Sequence, residues 1–184
     1  MDVFLSYSHT DKALAARLRR RLEIEGVSFN DPVENGISWR QQVEKAIRSA
    51  DAILLLLSSR KKVDERQQLT WMVALQAVWA DPAKPMVPVL LQDAELPAFV
   101  RSGASGDFVQ AIRLRNRKDL DPAVDAILQS LGLSHRRGLE SNRFFETYPV
   151  VTEGDRVRQQ ENFAAIGRYV EQLKLKEASH PTQG

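Results

Sequence analysis

The chain has 184 residues, 43% of them hydrophobic, which is enough for one sizeable core and too little for two. Cysteine is absent, which excludes a disulfide framework and any thiolate ligand or nucleophile, and His9, His135 and His180 are too scattered to form a zinc cluster. A net charge of +2 gives little reason to expect a nucleic-acid partner, and no apolar run approaches membrane-spanning length, so a soluble cytoplasmic protein with no metal is expected.

The run Val3-Phe4-Leu5-Ser6-Tyr7-Ser8 reads as a short apolar strand that stops on a Ser-Tyr-Ser turn and gives way at Asp11 to a helical pattern. A strand end beside a helix N-terminus gathers hydroxyls and free backbone N–H groups and favours phosphate or carboxylate, although the same arrangement is also ordinary fold punctuation. From Asp11 to Glu25 the residues Leu14, Leu18 and Leu22 recur every four positions and predict one buried stripe, ended by Gly26. Val27-Ser28-Phe29 is a short strand that empties into Asn30-Asp31-Pro32 and a loop through Gly36.

Ser38 opens a second helix with Gln41 at capping-box spacing, Trp39 in the first turn, and Val43, Ala46 and Ile47 on the inner face. Ala52 to Leu57 is continuously apolar, the pattern of a central parallel strand covered on both faces. A helix from Asp64 to Trp79 is expected to turn Leu69, Met72, Leu75 and Trp79 inward. The strand Met86 to Leu91 follows, its Pro85 and Pro88 pointing to a sheet edge or irregular pairing. Phe108 to Leu114 supplies a last strand, and a closing helix from near Asp121 carries Val124, Ile127, Leu128 and Leu131. Such alternation predicts an open α/β sandwich with a mostly parallel sheet of about five strands and right-handed crossovers.

By this reading the α/β core occupies residues 1–132 and is complete at Leu131. Residues 133–155 lack periodicity and read as a linker, with an aromatic cluster at Phe144-Phe145-Glu146-Thr147-Tyr148. Residues 156–176 form an amphipathic C-terminal helix in which Phe163, Ile166, Val170 and Leu173 need a surface to cover, in cis or in trans.

Five blocks in order and spacing resemble the TIR (Toll/interleukin-1 receptor) domain family in its bacterial form. They are Phe4-Leu5-Ser6-Tyr7-Ser8 with Asp11; Gly26-Val27-Ser28-Phe29-Asn30-Asp31; Gly36 with Trp39-Arg40; Ala46 to Ala52 leading into Leu54 to Ser58; and Val87 to Leu91 with Leu96-Pro97. The resemblance implies a flavodoxin-like three-layer sandwich with a five-stranded sheet, to which the C-terminal helix is an extension. It implies homotypic self-association or binding to another TIR or effector protein. It also implies one of two jobs, assembly in signalling or defence, or cleavage of NAD at the nicotinamide–ribose bond, in some members with cyclisation. NAD would then be a substrate or ligand, with no resident cofactor.

Catalytic members of the family are implied to place a Glu twelve residues beyond the Ser that ends the fourth block, and from Ser58 that position is Thr70. Trp71 and Ala74-Leu75 agree with this register. A hydroxyl cannot supply negative charge. Glu65, with Asp64 at the start of the same helix, is the substitute carboxylate, although acidic residues in a first turn also satisfy helix electrostatics. Ser6, Tyr7, Ser8, Asp31, Gly36 and Trp39 are the expected binding residues; Asp31 could orient a ribose hydroxyl or cap a turn. With Thr70 in the Glu position, the primary expectation is an assembly module with weak or no NAD cleavage, and the alternative is an NAD glycohydrolase that uses Glu65.

Overall fold

A computed structural model describes residues 1–32, 38–58, 65–81, 83–96, 101, 108–116, 120–133 and 145–149. The strands are β1 (Asp2–Ser6), β2 (Ser28–Phe29), β3 (Ala52–Leu57), β4 (Met86–Leu91), β5 (Phe108–Leu114) and β6 (Phe145–Pro149). The helices are α1 (Lys12–Ile24), α2 (Trp39–Ser49), α3 (Glu65–Ala80) and α4 (Leu120–Ser130), with a single 3-10 turn at His9–Asp11 before α1. They form one sheet in the order β2-β1-β3-β4-β5-β6, parallel except for β6, which runs antiparallel to β5. The first five strands have the flavodoxin-like order 2-1-3-4-5.

The two faces of β3 divide the core. Ala52, Leu54 and Leu56 pack with Leu14, Leu18 and Leu22 of α1 and Val124, Ile127 and Leu128 of α4. Ile53, Leu55 and Leu57 pack with Val43, Ala46 and Ile47 of α2 and Trp71 and Ala74 of α3. All six residues of β3 are buried because both faces are covered by helices.

Local chemistry sets the helix ends. At the N-terminus of α2 the Ser38 hydroxyl accepts the Gln41 N–H while the Gln41 side chain accepts the Ser38 N–H, a complete capping box. Gly26 takes φ +86° after α1, where its N–H bonds the Glu23 carbonyl (3.1 Å) and the Val27 N–H bonds that of Leu22 (3.1 Å). Gly132 repeats the device after α4 with φ +71°. This paired pattern satisfies carbonyls that a helix end leaves without partners, and it needs a residue that tolerates positive φ.

Three expectations change. Pro88 does not put β4 at an edge, since β4 lies between β3 and β5. The Ile53 N–H donates to the Pro85 carbonyl (2.9 Å), so odd-numbered residues of β4 bond β3 and even-numbered ones face β5. Pro88 therefore faces β5, where pairing begins only at Val89, and its missing N–H leaves the β3 ladder intact. In α3 the buried residues among those described are Gln67, Thr70, Trp71, Val73, Ala74 and Leu75, while Leu69 and Met72 are only half-buried and the Trp79 side chain lies outside the described set. That helix is apolar over most of its circumference, so spacing alone specifies its inner face weakly.

The third change concerns the segment read as a linker. Phe145–Pro149 form a sixth strand paired along the outer edge of β5, with Phe145 opposite Ile112 and Tyr148 opposite Val109. The core is therefore not complete at Leu131. The proposed helix at 156–176 lies outside the described residues. Among the described residues no helix is long and apolar enough to cross a membrane.

Ending the chain after Leu131 removes β6 and strips the cover from β5. The truncated protein is expected to lose at least about 1.5 kcal/mol in urea denaturation, the scale of one charged hydrogen bond. It is also expected to associate more readily through the freed edge in light scattering.

Candidate functional site

In a parallel sheet the strands end together, and the helices that follow them begin there. The carboxyl edge of β1 and β3 therefore gathers the starts of α1 and α3, with the start of α2 beyond β2. Ser6 is buried at the end of β1, Tyr7 is 39% exposed, and the Ser8 hydroxyl lies 3.0 Å from that of Thr10. The Asp11 N–H bonds the Ser8 carbonyl (2.8 Å), closing the 3-10 turn, and the Asp11 side chain is fully buried at the head of α1.

The second group belongs to the first turns of α2 and α3. Trp39 packs half-buried against the core on that face, and the Arg66 guanidinium lies over its ring at 5.7 Å from the centroid. This cation–π contact ties the start of α3 to the start of α2. Arg40 is held by Glu44 through Nε–Oε1 at 2.7 Å, and the Arg40 Nη1 is buried with no hydrogen-bond partner among the described residues. Glu65 opens α3 beside Arg66, and its side chain lies outside the described set. Thr70 is buried and donates its hydroxyl to the Arg66 carbonyl at 2.8 Å, so it serves its own helix and presents no charge.

Asp31 is drawn elsewhere. Its carboxylate pairs with Arg19, which also pairs with Glu23 and stacks on Phe29 at 5.0 Å. Those two carboxylates keep the Arg19 guanidinium above its ordinary pKa, Glu23 the more strongly. Arg19 stands seven residues into α1, about 10 Å along the helix from its start, so the ion pair fastens Asp31 to the flank of α1. Gly36 and Glu34, with the loop at 33–37, lie outside the described residues. Ser6, Tyr7 and Ser8 thus share one strand end, Trp39 and the Glu65-Arg66 turn meet near the same edge of the sheet, and the Asp31 carboxylate is engaged by Arg19.

A further polar cluster, unforeseen in the sequence, sits at the end of β5. Arg113 donates through Nε to Glu146, through Nη1 to the carbonyls of Gln92 and Ala94 (2.8 Å each), and through Nη2 to the Tyr148 hydroxyl (2.9 Å). Tyr148 in turn donates to Glu146 at 2.7 Å. The hydrogen bond from Arg113 is the chief reason that the Glu146 carboxyl lies below its ordinary range, against the opposing effect of burial. Arg113 is raised by the same bond, and burial, followed by the hydrogen bond to Glu146, raises the Tyr148 hydroxyl. The cluster fastens the turn after β4, where Gln92 takes φ +55°, to the added strand β6. Glu146 and Tyr148 stand two apart and so share one strand face; that spacing was the available sequence signal.

A family model for the TIR domain matches residues 3–128. The chain belongs to the TIR domain family. Among solved structures it is similar to the CMP N-glycosidase BcmB of Clostridium botulinum, with 16% identity over 72% of this chain and 98% of that one and a TM-score of 0.50, a likeness of fold. A flavodoxin-like domain from Synechococcus sp. also aligns, with 16% identity over 72% of this chain and 98% of that one and a TM-score of 0.44. No curated protein matches the chain in sequence. The TIR match ends before β6, so the Arg113 cluster joins the TIR sheet to a strand from beyond the matched region.

Because the Glu146 pKa is lower in the folded protein, its contribution to stability is present above the unfolded value of about 4.3 and is lost as pH falls through the folded value. Glu146→Gln is expected to destabilise the protein at pH 7 by about 1–3 kcal/mol. The variant should also show a shallower loss of urea stability between about pH 5 and 3 than the wild type.

Proposed function

We propose that this TIR domain is a nucleotide N-glycosidase that breaks the bond between ribose C1′ and the base nitrogen, with NAD as its foremost substrate and Glu65 as its carboxylate. The observation that carries the reading is the Arg66–Trp39 contact, because it joins the turn bearing Glu65 to the start of α2 near the end of β1. BcmB lends chemical company to the reading. CMP and NAD cleavage differ in the base and share the scissile bond class.

The chemistry requires few parts. As the C1′–N bond breaks, its electron pair leaves with the base and positive charge develops on the ribose, where a nearby carboxylate stabilises it. Nicotinamide departs neutral from NAD without a proton, whereas cytosine must gain one on leaving. Water then adds its oxygen to C1′ and releases a proton. Thr70 is excluded from the carboxylate role by its chemistry and by its bond to the Arg66 carbonyl.

One observation favours a second reading. Thr70 in the position where catalytic relatives are expected to carry Glu suits a domain that works by self-association, or by binding another TIR or effector protein, without turnover. The assembly surface would include the segment from Asn30 to Trp39.

The deciding measurement is base release from NAD and from CMP at high protein concentration. Glu65→Gln is expected to lower the rate about 100-fold or more, the scale of removing one transition-state charge partner. Thr70→Ala should change it less than about threefold. Undiminished release by Glu65→Gln would remove Glu65 from the mechanism, and no release by wild type would defeat the N-glycosidase reading. The assembly reading predicts a sedimentation coefficient that rises with concentration and falls in Arg40→Glu, with circular dichroism unchanged; a monomer throughout would count against it.

A further inference from the structure

Among the described residues Arg19, Arg21, Arg40, Arg113 and Arg115 each pair with a carboxylate. Arg66, like Arg17, Arg20 and Arg48, pairs with none among the described residues. It is exposed, and what sets it apart from those three is that its guanidinium rests on the face of Trp39. Trp39 is itself packed against the core cluster that includes Phe4 of β1 and Ile47 of α2, so the stacking platform is anchored to the core. A guanidinium stacked by its flat face keeps its N–H donors in the plane around its rim, where they can fork onto the oxygens of a phosphate.

We propose that Arg66 is the specificity-determining anion reader of this site and that the substrate class is a 5′-phosphorylated ribonucleotide, in preference to the free nucleoside. The inference rests on the reading of the carboxyl edge beside α2 and α3 as the nucleotide site. Thr70 bonds the Arg66 carbonyl at 2.8 Å, which fixes the backbone from which the guanidinium reaches. Trp39 then limits the directions open to it. Neighbouring Arg40 is a poorer candidate for the role because Glu44 already neutralises it. Phosphate recognition by Arg66 also leaves the adjacent Glu65 to the sugar, separating the two charges of the substrate between two consecutive residues.

Nicotinamide mononucleotide and nicotinamide riboside differ only in the 5′-phosphate, which makes them the appropriate probe pair. Isothermal titration of the full chain is expected to give at least about tenfold tighter binding of the mononucleotide, the worth of one charge-assisted contact. Arg66→Gln should erase that preference while leaving riboside binding within about twofold, and Arg66→Lys should retain part of it. Base release measured in parallel should show a larger loss of kcat/KM for the mononucleotide than for the riboside.

Equal weakening of both ligands in Arg66→Gln would overturn the proposal and reduce Arg66 to a brace for α3, as would wild-type protein that binds the two equally or binds neither. Preferential binding of the mononucleotide that Arg66→Gln abolishes, without any base release, would uphold Arg66 as the anion reader and defeat the N-glycosidase reading alone. Trp39→Phe keeps an aromatic face beneath the guanidinium and should preserve the preference; its loss in Trp39→Ala with the melting transition intact would show that stacking sets the reader's position.

Discussion

Burial of β3 on both faces is the constraint from which the rest of the architecture follows. Ala52 to Leu57 contains no polar side chain to turn toward water, so helices must cover both sides, and parallel neighbours require crossovers that supply them. The same requirement starts each crossover helix beyond a strand's carboxyl end. The placing of Ser6-Tyr7-Ser8 on the same sheet edge as the starts of α2 and α3 is thus a consequence of covering an apolar strand, and chemistry enters through the few residues spared from packing.

Those spared residues divide by whether their polar groups are already satisfied. Asp31 is tied to Arg19, Thr70 to the Arg66 carbonyl, and Glu146 to Arg113 and Tyr148. Each looks suitable for a ligand when considered as a residue type, and each carries out a structural task. Arg113 goes furthest, since it meets two main-chain carbonyls, a carboxylate and a phenol at once. Buried or half-buried polar groups of this kind are costly to leave unmet, which makes the cluster an effective fastening for β6 and a poor place for substrate.

The repeated patterns of the sequence translate directly into structure where local periodicity and tertiary demand agree. Leu14, Leu18 and Leu22 are buried as their spacing predicts, and Ser38 with Gln41 forms the capping box that the same spacing announces. The position of β4 was less legible, because the cost of Pro88 depends on which neighbour its backbone faces and on where β5 begins to pair. Strand β6 was obscured by flanking residues without periodicity, although Glu146 and Tyr148 share a face once they pair with β5. The destination of Asp31 depended on a partner twelve residues earlier on the far side of a turn, and nothing in its own neighbourhood names Arg19.

Glu65, the carboxylate proposed above, does not share the place on α3 that Thr70 holds. Glu65 precedes Thr70 by five residues, which on an α-helix is about 140° of rotation and about 7.5 Å along the axis. Glu65 therefore cannot stand in for a carboxylate at position 70 without a displaced substrate. The first turn of α3 instead lies beside the ring of Trp39, on which the Arg66 guanidinium rests. The roles proposed for Glu65 and Arg66 fall on consecutive residues of one helical turn, whereas Thr70 presents only a buried hydroxyl already committed to its own helix.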